Sequence, residues 1–294
     1  MFPIEVFISH GQGLRATRNL IQGEKILCCA PLVAVPRVNP SCPRQLISCS
    51  GCILATKSLI LCQKCRVASH CSTCLMDLRT QKIHQEECSI LTFLSAQNED
   101  LESHLEVRCL IRLLGILGLS TRQQLSEMNA MNLAGCDDDV IVDALDSLDH
   151  MMSGQYESND GHLSEKQLFQ IINAAKKAKF LVSPVNRKCM DFYVRLLGIM
   201  QLNSFECVDE VNNTTSLGQG CFPTASFFNH SCQPNVVGVF DCTGCLHFTT
   251  LKDVPKHGQL FLNYATESSR EDRRKILLER YGFDCQCQLC ANGL

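Results

Sequence analysis

The chain has 294 residues, of which 45% are hydrophobic, and a formal net charge of −3. Its length suits one large domain or two modest ones, and its nearly balanced charge gives no general attraction to nucleic acid or to an anionic membrane. No apolar run reaches the roughly 18 residues of a membrane-spanning helix, and the start, MFPIEVFISHGQG, lacks the regions of a secretory signal. We therefore expect an intracellular protein, in the cytoplasm, the nucleus or both.

Cysteine is the unusual part of the composition, with 21 residues, many of them in C-x2-C pairs. In a short secreted chain such a count would indicate a disulfide framework. In a reducing compartment, paired cysteines indicate zinc binding instead. Since we expect an intracellular protein, zinc is the favoured interpretation.

The first cysteine block lies between residues 49 and 88, and its spacing offers seven thiols and the imidazole of His84 as ligands. In chain order they are Cys49, Cys52, Cys62, Cys65, Cys71, Cys74, His84 and Cys88. Zinc takes four nitrogen or sulfur ligands, so eight ligands suit two closed, structural sites. A metal-free loop is the less favoured alternative, because the segment has few large apolar residues and needs another source of folding free energy.

The middle of the chain, from about residue 101 to 180, has helical patterns. LEVRCLIRLLGILGL is apolar on more than one face and predicts a buried helix. GCDDDVIVDALDSLDHMM begins with three aspartates, which suit a solvated helix N-terminus better than a metal site. SEKQLFQIINAAKKAKFL is amphipathic, with Ser164 as its capping residue.

A dense polar run lies in the apolar C-terminal half, in FFNHSCQPNVVG (Phe227 to Gly238). Buried polar groups need partners, so this run indicates a ligand, a metal or a strained turn. The next C-x2-C pair, in DCTGC, has Thr-Gly at its centre and predicts a turn between two strands. REDRRKILLERYGF then predicts a short charged helix.

A second cysteine block ends the chain, with Cys285, Cys287 and Cys290. Three thiols are one ligand short of a zinc tetrahedron, and the last four residues offer no further cysteine or histidine. Cys232 is the candidate for the fourth ligand. A zinc ion bound in this way would fold the tail over Asn229 and His230.

NHSCQPN followed by a C-x-C-x2-C tail resembles a SET domain with its post-SET segment. The first cysteine block resembles a MYND zinc finger, so the chain as a whole is similar to the SET-and-MYND (SMYD) protein-lysine methyltransferases. GQGLRATRNLIQGEKIL and NSF (Asn203 to Phe205) also resemble parts of that family. Many members carry a C-terminal helical-repeat domain, which we expect this chain to lack.

The resemblance implies an α+β fold in which a SET domain of small β-sheets carries the finger, a helical connector and a zinc-binding post-SET tail. The implied parts are residues 1–48 for the N-terminal part of the SET domain, 49–88 for the MYND-type finger, 89–184 for the connector, 185–266 for the core SET domain and 267–294 for the post-SET segment.

The resemblance also implies the metal ligands. The family's cross-brace would pair Cys49 and Cys52 with Cys71 and Cys74, and Cys62 and Cys65 with His84 and Cys88. Two residues separate Cys71 from Cys74 where the family usually has three, so His70 is an alternative ligand. With the tail site formed by Cys232, Cys285, Cys287 and Cys290, we expect three zinc ions.

The implied activity is S-adenosylmethionine-dependent N-methylation of protein lysines, on histone or other substrates. The implied cofactor-binding residues are His10, Gly11, Gln12, Gly13, His150, Asn203, Ser226, Asn229, His230, Tyr264 and Phe283. Tyr264 would orient the amine and the methyl group, Phe205 would line the lysine channel, and Tyr281 would close it.

The rival hypothesis is a catalytically silent adaptor that recruits partner proteins through its finger, for example in transcriptional repression. The finger spacing, a glycine-to-tyrosine stretch one residue shorter than usual and the expected lack of the repeat domain favour the adaptor. The intact NHSC-x-PN, the tyrosine and the tail ligands favour the enzyme. A zinc-dependent hydrolase is disfavoured because each zinc site would have four protein ligands and no open position.

For partners, we expect a protein lysine substrate, such as a histone tail, and a peptide bound by the finger, in this family commonly Pro-rich. We expect no membrane partner, no direct nucleic-acid partner and a monomeric protein.

Overall fold

The computed structural model describes residues 4–7, 13–39, 41–55, 58–118, 165–182, 189–208, 215–241 and 244–292. Within these ranges, helices and small sheets are mixed along the chain, which confirms the α+β class.

Short strands make up the sheets. They are β1 (Ile4–Phe7), β2 (Gly13–Ala16), β3 (Lys25–Cys29), β4 (Val33–Pro36), β5 (Val38–Asn39), β6 (Cys42–Leu46), β7 (Ile60–Leu61), β8 (Ser69–His70), β9 (Ser204–Val208), β10 (Ser216–Cys221), β11 (Asn229–His230), β12 (Val236–Phe240), β13 (Leu246–Thr250) and β14 (Phe261–Leu262). Three antiparallel pairs join β1 to β2, β5 to β6 and β7 to β8, and two three-stranded sheets have the orders β4-β10-β9 and β12-β13-β3. Strands β11 and β14 pair in parallel, so distant parts of the chain meet there.

The hairpin predicted for DCTGC is confirmed. Strands β12 and β13 pair antiparallel, with Phe240 opposite Leu246. The backbone N–H of Asp241 donates to the Cys245 carbonyl over 3.0 Å and closes the turn.

The helices are α1 (Ser72–Met76), α2 (Leu78–Ala96), α3 (Leu105–Gly118), α4 (Glu165–Leu181), α5 (Met190–Asn203), α6 (Arg270–Ile276) and α7 (Gln288–Ala291). Single 3-10 turns occupy Glu102–His104 and Ala225–Phe227, and a π-helical turn, Leu277–Tyr281, continues α6. Helices α3, α4 and α6 fall in the segments for which helices were predicted. Ser164, the predicted cap of α4, and the aspartate-rich segment lie outside the described residues.

Helix α2 joins the cysteine-rich segment to the connector. It begins after Asp77, whose carboxylate accepts a hydrogen bond from the Thr80 backbone N–H over 2.7 Å and caps the helix. It ends at Ala96, so a single helix crosses the boundary predicted after residue 88.

The main hydrophobic core lies beneath the sheets and includes the fully buried side chains of Leu14, Tyr193, Phe222, Phe228 and Phe248. The rings of Phe228 and Phe248 stack with their centroids 4.7 Å apart. Phe228 immediately precedes β11, so this packing anchors the start of the polar run NHSC.

A smaller second cluster packs the tail. Its buried members are Ala265, Leu277, Cys285 and Cys290. Tyr264 packs against both clusters, because it borders the main core on one side and the tail on the other. The polar run therefore lies at the junction of two separately packed units.

A buried ionic network joins the cysteine-rich segment to the rest of the protein. Glu87 of α2 is fully buried and accepts from Arg108 and Arg112 of α3, each at 3.2 Å. Arg108 also donates to the Pro36 carbonyl at the end of β4, and Arg112 donates to the side chain and the backbone carbonyl of Ser50. Burial opposes ionisation of Glu87, but the charges of Arg112 and Arg108 outweigh it and lower the pKa of this carboxyl.

Within the described ranges, no helix has both the length and the apolar character that a bilayer crossing requires.

Candidate active site and metal centres

The NHSC segment is held by its pairing with β14. Asn229 lies opposite Phe261 and His230 lies opposite Leu262 in parallel register. The Ser231 N–H continues the pairing with a 2.9 Å hydrogen bond to the Leu262 carbonyl. Tyr264, two residues beyond β14, is thereby brought beside His230.

Asn235 fixes the same junction and was missed as a site residue by the sequence analysis, although it closes the NHSCQPN motif. Its side-chain amide donates to the Gln259 carbonyl over 2.8 Å and accepts from the Phe261 N–H over 2.7 Å. The side chain is buried. Its two hydrogen bonds tie the segment after NHSC to the segment that leads to Tyr264.

Gly13 lies against Asn229. A Cβ atom at position 13 would lie 2.6 Å from Asn229 Nδ2 and 2.5 Å from Gln259 Nε2, which is closer than non-bonded atoms approach. The absence of a side chain therefore leaves the Asn229 amide room at the start of β2. Among the described residues, no hydrogen-bond partner is found for the Asn229 side chain.

Asn203 and Ser226, both predicted cofactor-binding residues, lie together but bond to the protein's own backbone. The Asn203 amide donates to the Ile199 carbonyl over 2.7 Å. The Ser226 hydroxyl lies 3.2 Å from the Asn203 carbonyl and 3.0 Å from the Phe222 carbonyl. These contacts join the end of α5 to the turn before NHSC.

Tyr264 is fixed at both its backbone and its hydroxyl. Its N–H donates to His230 Nδ1 over 3.0 Å, and its hydroxyl donates to the Phe228 carbonyl. Burial, with a smaller effect of the Tyr281 hydroxyl, raises the pKa of Tyr264, so the hydroxyl is protonated at neutral pH.

Aromatic rings surround Tyr264. Tyr281 lies 4.8 Å from the Tyr264 ring, and His230 lies 5.2 Å from it, measured between centroids. Phe283 lies 5.9 Å from His230. Phe205 packs edge-to-face on Phe222 at 5.8 Å. The structure thus brings Tyr264, Tyr281, Phe283 and His230 into one aromatic group.

The tail cysteines meet the cysteine of NHSC. The sulfur atoms of Cys232, Cys285, Cys287 and Cys290 all lie within 4.8 Å of one another. Cys232 Sγ is 3.5 Å from Cys290 Sγ and 3.8 Å from Cys285 Sγ. Sulfur atoms on one tetrahedral zinc ion are about 3.8 Å apart, so the four thiols could bind zinc.

The first block forms two further clusters. In each, the four ligand atoms lie within 4.8 Å of one another; the sets are Cys49, Cys52, Cys71 and Cys74, and Cys62, Cys65, His84 and Cys88. These are the pairs of the predicted cross-brace. Cys74 belongs to the first set despite its altered spacing, and His70 belongs to neither.

His84 provides a direct test of whether the second of these clusters suits a metal. Both of its ring nitrogens are buried, and neither has a hydrogen-bond partner among the described residues. A buried imidazole without partners is costly, whereas a nitrogen beside three thiols is a common zinc ligand. The donor set therefore fits zinc.

Four predicted cofactor-binding residues lie outside the described residues: His10, Gly11, Gln12 and His150.

The buried ionic network of Glu87, Arg108 and Arg112 was not predicted from the sequence. Buried charges on helices are hard to recognise from one sequence, because charged residues are usually exposed.

Comparison with known proteins finds relatives that are named as lysine methyltransferases. The chain is 28% identical over 288 residues to the Arabidopsis thaliana protein named histone-lysine N-methyltransferase ASHR1, covering 96% of this chain and 53% of that protein. It is 25% identical over 290 residues to the Danio rerio protein named N-lysine methyltransferase SMYD2-B, covering 98% of this chain and 60% of that protein. The chain thus spans about half the length of the curated relatives it matches.

Among solved structures, the SET domain of LSMT bound to lysine and AdoHcy matches 97% of this chain and 53% of that chain, with 13% identity and a TM-score of 0.41. The SET domain family profile matches residues 11–265, which is most of the chain. This protein therefore belongs to the SET domain family.

Proposed function

We propose that the protein is an S-adenosylmethionine-dependent protein-lysine N-methyltransferase. The observation that carries the proposal is the position of Tyr264, whose ring lies in an aromatic group with His230 and whose hydroxyl bonds to the carbonyl of Phe228, the residue before Asn229. The names of the relatives, a histone-lysine and an N-lysine methyltransferase, support the same reaction class.

A lysine side chain must lose its proton before it can accept a methyl group. Its ordinary pKa is about 10.4, so about one in a few thousand is neutral at pH 7. The rings of Tyr264 and Tyr281, with Phe205 added on the resemblance alone, would line an apolar passage that lowers the pKa of the lysine by desolvation. When bound, S-adenosylmethionine would supply the methyl group from its sulfonium and would leave as the neutral thioether.

Tyr264 would act as an orienting group rather than as a base. A tyrosine hydroxyl has an ordinary pKa of about 10 and is neutral at pH 7. Because it donates to the Phe228 carbonyl, its lone pairs are free to face the reacting atoms. The Tyr264 hydroxyl oxygen and the Phe228 carbonyl oxygen would align the amine and the polarised methyl group. This is a proximity and orientation effect.

The cofactor would lie along β11 and the start of β2. Gly13 leaves room for the Asn229 side-chain amide, which has no partner among the described residues and would face the cofactor. Asn203, Ser226, His230 and Phe283 would complete its surroundings. His10, Gly11, Gln12 and His150 are proposed for the same site on the resemblance alone.

Zinc would stabilise the fold and the tail. The two clusters of the first block would form a MYND-type finger, and Cys232 would attach the post-SET tail across Tyr264. Each set contains four protein ligands, so each ion would be closed and structural. We propose a protein lysine substrate, a Pro-rich peptide as partner of the finger, and a monomer.

The test is transfer of labelled methyl groups to histones and to a lysine-peptide library. We expect Tyr264→Phe to lower kcat while the Kd for S-adenosylmethionine stays within about threefold, since the hydroxyl acts on the reacting atoms. Glu206→Gln, a change on the surface, is the matched control. Unchanged turnover in Tyr264→Phe would remove Tyr264 from the reaction. If the zinc-loaded wild type shows neither methyl transfer nor cofactor binding, the silent adaptor is favoured.

A further inference from the structure

Both nitrogens of His230 are engaged by the protein itself. Nδ1 accepts from the Tyr264 backbone N–H over 3.0 Å, so Nδ1 carries no proton. In a neutral ring the proton is then on Nε2, which lies 3.3 Å from Cys232 Sγ. The ring thus forms a bridge from the backbone of Tyr264 to a cysteine of the tail cluster.

The sulfur at the other end of this bridge belongs to a crowded group. Cys232 Sγ lies 3.5 Å from Cys290 Sγ, and these two thiols lie within 4.8 Å of Cys285 and Cys287. An N–H donor to a metal-bound thiolate stabilises its charge and fixes its direction. His230 Nε2 is placed to be that donor.

We propose that His230 is a positioning residue that couples the tail metal site to Tyr264. The ring is rigid, so its two nitrogens keep a fixed separation. A displacement of Cys232 therefore rotates the acceptor away from the Tyr264 N–H. The coupling deepens the methyltransferase proposal. Its effect on catalysis rests on that proposal, whereas the structural link between the tail site and Tyr264 does not.

The aromatic contacts give the coupling a second path. The His230 ring contacts Tyr264 at 5.2 Å and Phe283 of the tail at 5.9 Å. Phe283 stands two residues before Cys285, so loss of the metal would loosen both the sulfur and the ring that hold His230. Tail order and Tyr264 order would then change together.

Two substitutions test the contact of His230 with Tyr264 and its contact with Cys232 separately. In His230→Asn, the side-chain oxygen falls near the position of Nδ1 and keeps an acceptor for Tyr264, but the side chain at position 230 no longer reaches Cys232. In His230→Gln, the side-chain nitrogen falls near the position of Nε2 and keeps a donor for Cys232, while the acceptor for Tyr264 is lost. Each variant is the control for the other.

Two readouts are independent of activity. Hydrogen exchange at the Tyr264 amide reports the hydrogen bond from this amide to His230. We expect His230→Gln to speed the exchange about 2- to 10-fold, which corresponds to the free energy of one hydrogen bond. Alkylation of Cys285 and Cys290 during exposure of the zinc-loaded protein to a chelator, followed by peptide mass spectrometry, reports the second end. We expect His230→Asn to speed it about 10- to 100-fold. Cys62 and Cys65 of the finger serve as the internal reference.

The catalytic consequence is a third readout. We expect His230→Gln to lower kcat about 10- to 100-fold, as a small misplacement of a reacting group does. We expect a much smaller change in KM. If wild type transfers no methyl group, the methyltransferase proposal fails, and exchange and alkylation alone decide the coupling.

The crossed pattern, with each variant affecting its own end, would support the proposal. The coupling itself requires that removal of the tail metal speeds exchange at the Tyr264 amide in wild type. Unchanged Tyr264 exchange in His230→Gln, or in wild type after removal of the tail metal, would overturn it. If the finger thiols also react faster than in wild type, the variant is destabilised as a whole, and chelator treatment of wild type decides.

Discussion

The buried carboxylate of Glu87 gives the sharpest stability prediction. It is fully buried and pairs with Arg108 and Arg112, each at 3.2 Å. At an effective dielectric constant of about 20, each such pair has an attraction of about 5 kcal/mol. Glu87→Gln removes both attractions and also the cost of burying the carboxylate. The expected net loss is about 3–5 kcal/mol, because two guanidinium groups are left buried without an anion.

The loss is a large part of the 5–15 kcal/mol that typically stabilises a protein. Urea unfolding of the zinc-loaded protein, followed by circular dichroism, measures it. The control is Glu206→Gln, which weakens an ion pair with Arg37 at 3.0 Å in which the Glu206 side chain is 46% exposed. Its expected cost is below about 1 kcal/mol. Equal losses in the two variants would refute the reasoning that burial gives the Glu87 network its strength.

Three further predictions concern the glycine at the candidate cofactor site, buried thiols and metal binding. We expect Gly13→Ala to weaken S-adenosylmethionine binding about tenfold in calorimetry with little loss of stability, because the new Cβ atom displaces the flexible side-chain amides of Asn229 and Gln259. An unchanged affinity would show that Gly13 does not shape the cofactor site. Burial raises the pKa of Cys207 and Cys221 to about 12, so these thiols stay protonated in the native state while unfolded thiols ionise near pH 9. The free energy of unfolding should therefore fall between about pH 9 and 12, by about 1.4 kcal/mol per pH unit for each thiol. In urea titrations a Cys207→Ala/Cys221→Ala variant should show a shallower decline, and an equal slope would contradict this origin. We expect Cys74→Ser to lower the zinc content by one ion per chain in mass spectrometry, whereas exposed Cys189→Ser should not change it; an equal zinc content in both would exclude Cys74 as a ligand.

Residues that act through local spacing were predictable from sequence. Cysteine pairs two residues apart can reach one ion whatever surrounds them, and the resemblance supplied their grouping. The structure brings all twelve predicted ligands together in three sets. The long-range partner of the tail, Cys232, was also identified, because three thiols require a fourth ligand.

Residues that act through packing were not predictable. Asn235 lies in the NHSCQPN motif, but the motif alone does not show that its side chain holds two backbone segments. Glu87 holds two arginines and has no sequence signature that separates it from a surface residue. The bridge from Tyr264 through His230 to Cys232 depends on the parallel pairing of β11 with β14, which joins strands more than 30 residues apart. One sequence without a known fold does not give that register.

The central claim, that the site beside Asn229 binds S-adenosylmethionine, is tested most directly by calorimetric titration of the zinc-loaded protein with this cofactor. The measurement requires no knowledge of the lysine substrate. We expect micromolar binding by wild type and loss of that binding in Asn229→Ala, whose side-chain amide is removed. No binding by folded, zinc-loaded wild type, or equal binding by Asn229→Ala, would contradict the account.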